Sequence, residues 1–371
     1  ANGGGAGIVV DSTTGYQTPM TVTVKGGSIT SVNGYAIEEV SNAKANADKI
    51  CYSTVSVDKT AVLTGKLGKV SSENGTVRVE GENGETTAYA STGAGVVNAM
   101  ANGGTVVLTD DVTGTGKDTD VTIAAVDGNV ETTLDLNGKT LGYELNLSTL
   151  TDGKDNGNTL KVTIKNGKIG TESGYSNEDA DGKKGTLFYG LLLEGNGLDL
   201  TLEKVESSAY YGGLYMNGTW KNYKVVANDC VFNCVAGNAA YFAGYTVAEF
   251  NNCTFTGSMG AYAKCGDITF NDCTLTGKLP YEKPTYNGNG ANGEGNGFTA
   301  DSCVGYQQPL TVRFNGGSVT SEYGYAIEEI STAKEGVEKV CYSTVTVSKE
   351  TVLTGKLGNV QSENGTVTIV A

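Results

Sequence analysis

Read for apolar and polar positions, the chain keeps returning to one short phrase. VTVKGGSIT (22–30), VTIKNGKIG (162–170), LTLEKVESS (200–208), VVANDCVFN (225–233), AEFNNCTFT (248–256), ITFNDCTLT (268–276) and VRFNGGSVT (312–320) share it. Each begins as an alternating strand that ends on an apolar residue. Two mostly polar residues follow, often Asn, Lys or Gly, then a small residue, and the alternation resumes. LDLNGKTLG (134–142) is a variant one residue shorter. Period-two alternation is the mark of a strand with one buried face. The middle phrases recur every 20–25 residues, and short strands with a turn at fixed phase and this period read as coils of a solenoid.

Stacking explains the repetition. In parallel coils an inward side chain meets its counterpart one strand spacing away, about 4.8 Å. Val, Ile, Leu and Phe therefore recur at inward phases. Asn166, Asn228, Asn251, Asn271 and Asn315 recur at the turn, where amides bond along a ladder and tolerate left-handed backbone. The ends of such a stack are unpaired edges that need cover. GVVNAMANGG (95–104) has the pattern of a short amphipathic helix capping the first coil of the body, and IEEVSNAKANADKI (37–50) reads as a helical excursion.

A longer repeat frames these coils. Shifted by 290 residues, positions 1–81 align with 291–371 without a gap, and 49 of the 81 are identical. GYAIEEV (34–40) faces GYAIEEI (324–330), VLTGKLG recurs at 62–68 and 352–358, and SENGTV at 72–77 and 362–367. The organisation is a tail module (1–81), a body (82–290) and a second tail module (291–371). The stretch 82–371 has 371 − 81 = 290 residues, equal to the offset. Two arrangements produce this. The chain is a slice of a tandem array, or each subunit carries a tail that docks on the next. Both give head-to-tail, non-closing contacts with other copies of itself, hence filaments. Simple duplication in a monomeric surface protein is the alternative.

The coil phrases resemble the right-handed parallel β-helix of the pectate-lyase-like superfamily. GTVVLTDDV (104–112) followed by TLDLNGKTL (133–141) is similar to openings of β-helical surface and adhesin-like proteins of Gram-positive gut bacteria. The likeness covers most of 95–371 and, through the repeat, 1–81. It implies an all-β solenoid and leaves function open, because this fold hosts lyases, hydrolases, adhesins and stalks.

Charge and composition then narrow the classes. The net charge is −15 and His is absent, which argues against a nucleic-acid partner. No apolar run approaches the roughly 18 residues of a membrane helix. Acidic sequence rich in Asn, Gly and Thr, with arginine only at 78 and 313, suits an extracellular bacterial surface.

Four sets of residues are candidates for chemistry. Cys230, Cys253 and Cys273 share one phase, as stacked buried thiols or a bridge between adjacent coils. A Cys303–Cys341 bridge is a further option, confined to the second tail module because Thr13 faces Cys303 in the first. Tyr215, Tyr241 and Tyr262 lie in consecutive coils, with Trp220 nearby. They form a stiffening ladder or an outward aromatic platform with parallel rings for sugars or a neighbouring fibre. Asn177, Asp179 and Asp181 match the start of a calcium loop, but Phe188 stands where the twelfth-position Glu belongs. The alternative is a solvated loop, as for Asp152, Asp155 and Asn158. Asp229 and Asp272 share a turn phase two coils apart, roughly 9.6 Å, near the upper limit for an inverting carboxylate pair, with Asn252 between them.

Enzymes resembling this family use an Arg or Lys base beside calcium-binding acids, or Asp pairs with His and Arg. The body has no Arg and the chain no His. The expectation is a non-catalytic extracellular structural β-solenoid, a building block of a fibre or adhesin stalk assembling head-to-tail, without a required cofactor. The alternative is a carbohydrate-binding or polysaccharide-cleaving β-helix, favoured by an aromatic groove with converging carboxylates.

Overall fold

The computed structural model describes residues 5–44, 49–113, 120–171, 188–286 and 291–370. They form an all-β fold built on long parallel sheets, with one helix among the described residues, an arrangement consistent with a β-solenoid. The chain divides into two compact units. One comprises 1–113, 130–141 and 165–167, the other 114–129, 142–164 and 168–371.

In the larger unit the strands come in threes. Tyr223–Asn228, Val231–Cys234 and Asn238–Phe242 are followed by Thr246–Asn251, Thr254–Gly257 and Met259–Ala263. Each pairs in parallel with its counterpart one step on. The third strands form a nine-stranded sheet from Asp120–Ala124 to Gly358–Ser362. The alternation read from the sequence sets the faces. In Thr246–Asn251, Thr246, Ala248 and Phe250 are buried, while Val247 and Glu249 point to solvent.

Register then stacks like on like. Phe250, Phe270 and Phe314 are in register. Their rings lie nearly parallel, with centroids 5.3 and 5.1 Å apart. At the corner, Asn251 donates to Asn228 Oδ1 at 2.9 Å, Asn271 to Asn251 Oδ1 at 2.7 Å, and Asn315 to Asn271 Oδ1 at 2.8 Å. The left-handed residue is the next one along in the middle coils: Asp229, Asn252 and Asp272 have φ of 54, 54 and 51°. Laddering and left-handed backbone, both expected of the asparagines, are thus divided between neighbouring positions.

The smaller unit holds the first tail module. Met20–Val24, Ser53–Val57 and Val77–Glu80 pair in parallel, as do Ile8–Asp11, Tyr35–Val40 and Gly68–Ser72. The helix expected at 95–104 spans Gly93–Ala101, with Thr92 as N-cap accepting from Gly95 N at 3.0 Å. Val96, Ala99 and Met100 form its buried face. Besides capping the body, the helix reaches the tail module: Thr92 Oγ1 donates to Glu73 O and Asn98 Nδ2 to Asn74 O.

The helix expected over 37–50 is not there. Residues 37–40 belong to the strand Tyr35–Val40, and 41–44 have no regular structure. In the second copy Tyr325–Ile330 is likewise a strand, and 331–342 contains no helix. The reason is Glu39. Its fully buried carboxylate accepts from Ser53 Oγ at 3.2 Å, Ser72 Oγ at 2.8 Å and Asn74 N at 3.0 Å. Glu329 repeats this with Ser343, Ser362 and Asn364. Two adjacent glutamates read as a helix surface when one of them is in fact the centre of a polar knot.

Candidate functional site

The site grows from the nine-stranded sheet. Tyr215, Tyr241 and Tyr262 are paired in register on consecutive strands, so their side chains leave the same face. A fourth ring joins out of register. Tyr189 is paired with Gly212, whose missing side chain lets the phenol lean over. Its centroid lies 4.2 Å from that of Tyr215. Tyr215 and Tyr241 stack at 4.7 Å and 20°, whereas Tyr241 and Tyr262 are tilted by 43° at 5.8 Å.

The outer-face platform expected of the three tyrosines needs correcting. Tyr262 is 1 % exposed. Its hydroxyl donates to buried Asp301 at 2.8 Å, and Asp301 also accepts from Thr332 Oγ1 at 2.8 Å. Burial pushes the Asp301 carboxyl above its ordinary value, against these hydrogen bonds and nearby Lys264. The rings are not all parallel. Where they stack they cover each other's faces, so the row offers edges and hydroxyls.

Around this row lies a groove of about 970 Å³. Tyr189, Tyr215, Tyr241, Tyr245 and Tyr306 line it with phenols, Trp220 with its indole, and Asn217, Asn238 and Gln308 with amides. Tyr306 reaches back to Gly218, where a Cβ would lie 2.6 Å from the phenol oxygen. The charged lining residues are Lys221 and Lys264.

Lys264 is the unusual group. It is 2 % exposed, and its Nζ donates to Tyr241 Oη. Nζ sits 4.9, 5.0 and 5.6 Å from the ring centroids of Tyr241, Tyr306 and Tyr262. Three π faces offset part of what the ammonium loses on leaving water. Burial draws its pKa down to about 8, opposed by the negative charge available from Cys303, Asp301 and Cys265. Sequence reading missed Lys264. A single lysine has no motif, and its burial depends on Tyr306, more than forty residues downstream.

The other expected sites fall as follows. Trp220 shares the groove with the tyrosines. Cys230, Cys253 and Cys273 are buried at 1, 1 and 2 % exposure, and Cys253 N donates to Cys273 Sγ at 3.4 Å. All eight cysteines are free thiols, so neither the inter-coil bridge nor Cys303–Cys341 is present. Asn177, Asp179 and Asp181 lie outside the described residues. Among the described residues no group of three acidic, Cys or His side chains is placed to hold a metal. Asp229 accepts from Asn252 Nδ2 at 2.7 Å and, like Asp272, sits at the turn corner, outside the groove lining.

No family model matches the chain, and none of the curated proteins or solved structures compared with it matches either. No helix among the described residues is long and apolar enough to cross a membrane.

Proposed function

We propose that the protein is a non-catalytic extracellular β-solenoid, a right-handed parallel β-helix, that binds an acidic carbohydrate chain in the tyrosine groove. The observation that carries this is the lining. Phenol hydroxyls, an indole and amides suit a ligand dense in hydroxyl groups. The charged lining side chains are two lysines, on a chain of net charge −15. A cationic groove on an acidic protein selects for uronate or sulfate groups through local charge. Hydrolysis by paired carboxylates has no support here, since no Asp or Glu lines the groove.

Affinity electrophoresis against polyuronates, sulfated polysaccharides and neutral glucans tests the proposal. Retardation by the anionic polymers, lost in Lys264→Met and weakened in Tyr215→Ala, is expected. Equal migration in all gels overturns it.

A second reading, a fibre or stalk block assembling head-to-tail, is favoured by one observation. The last strands present Val352, Leu357 and Ile369 at 60, 52 and 61 % exposure. Sedimentation velocity over a range of concentrations decides it, a constant monomer mass being the negative result.

A further inference from the structure

The two tail modules carry the same surface, but only one copy is covered. In the first, Val70 and Val77 are 2 and 0 % exposed. The strand Thr86–Ala90 pairs antiparallel with Val77–Glu80, joining Arg78 to Ala88 and Glu80 to Thr86. The backbone of Ser91 donates to Ser72 O at 2.9 Å and the side chain of Asn98 to Asn74 O at 2.7 Å. The helix Gly93–Ala101 approaches so closely that a Cβ on Gly75 would meet Gly95 O at 2.2 Å and Ala99 Cβ at 3.1 Å.

The equivalent positions 290 residues on are Val360, Val367, Ser362, Asn364 and Gly365. SENGTV is identical in both copies, and the Glu329 knot holds the loop in the same shape as Glu39 does. Gly365 has φ +68°, against +69° for Gly75, yet nothing lies within 4 Å of a Cβ placed on it. Asn364 and Gly365 are exposed, whereas Gly75 is buried. The strand Val367–Val370 pairs with Ser343–Ser348 on one side, and its Ile369 is 61 % exposed. Thr368 and Val370 replace Arg78 and Glu80, so this copy of the edge is the more apolar one.

We infer that the end face formed by Val360–Val370 is a docking site for a second copy of the chain's own segment 86–101, the strand and Thr-capped helix that cover the same face of the first tail module. This deepens the head-to-tail reading by naming what sits on that end. The two stand apart experimentally, because filament formation is read by mass and docking by local protection. The contact is heterologous and non-closing, so each docked unit presents a fresh end to the next.

The test uses the full chain extended at its C-terminus by a second copy of its own residues 82–113, compared with the unextended chain by hydrogen exchange. Docking is expected to slow exchange of the Val367–Val370 amides by roughly tenfold or more, as a solvent-facing edge gains a partner strand. Gly365→Ala supplies the control. Its left-handed strain is common to both proteins, but the added Cβ collides with a docked helix only. The substitution should remove the gained protection from the extended chain and leave exchange in the unextended chain unchanged. Unchanged exchange on extension overturns the inference, as does protection that survives Gly365→Ala. So does dimerisation of the unextended chain that protects the same amides, because the face then takes its own kind.

Discussion

Lys264 couples the groove to pH. In the unfolded chain this amine titrates near 10.5, but in the folded protein burial draws it to about 8. A basic group with a lowered folded pKa binds more protons unfolded between these values, so its contribution makes the protein more stable as pH rises from about 8 towards 10. Ligand binding runs the other way, because an anionic chain needs the ammonium. Affinity for a polyuronate should therefore weaken between pH 7 and pH 9, measured by calorimetry. In Lys264→Met the chain should lose both the binding step and the rise in stability. Glu329 is a second buried charge with the opposite logic. Burial pushes its carboxyl up, but hydrogen bonds from Asn364, Ser362 and Ser343 outweigh that and hold it below its ordinary value. A carboxylate with a depressed folded pKa stabilises at neutral pH, and this is lost as pH falls through the lowered value. Glu329→Leu strands several donors at once and should cost about 3 kcal/mol by urea denaturation.

At the level of elements, two ladders hold the coils in register, and their magnitudes differ. Phe270 is 1 % exposed and touches the rings of Phe250, Phe298 and Phe314. Phe270→Ala should cost about 3–5 kcal/mol through lost burial and a cavity. Asn271 gives one ladder bond and takes another, and Asn271→Ala should cost about 1–2 kcal/mol. Apolar stacking thus supplies most of the cohesion and the amides select the register. The helix Gly93–Ala101 depends on Thr92, which caps it and bonds Glu73 O. Thr92→Ala should cost about 1 kcal/mol and speed exchange of the helix amides. These elements were legible in the sequence because in-register stacking repeats the same residue at the same phase. Tyr262 shows where that legibility ends. Its phase placed it correctly on the outer face, but what covers that face, Asp301 and its neighbours, lies in another coil and follows no repeat. Lys264 was invisible for the same reason, and the Glu39 knot because a buried carboxylate looks like a surface one in sequence.

At the scale of the whole molecule, the three-strand step makes length a separable property. Val225, Ala248 and Ile268 lie in one register, as do Asn228, Asn251 and Asn271. Excising 246–265, twenty residues between one strand start and the next, would set Asn228 directly on Asn271 and Cys230 directly on Cys273, with every other phase kept. A deletion of one residue would instead turn the following strand inside out. Recombination between neighbouring coils is therefore a nearly neutral event, while frame-preserving changes of other sizes are destructive. A gene for such a protein drifts in whole coils, like a ruler cut only at its marks. The groove is the exception. The Tyr262 coil falls within those twenty residues and carries Lys264, so length can vary freely everywhere except across the binding site.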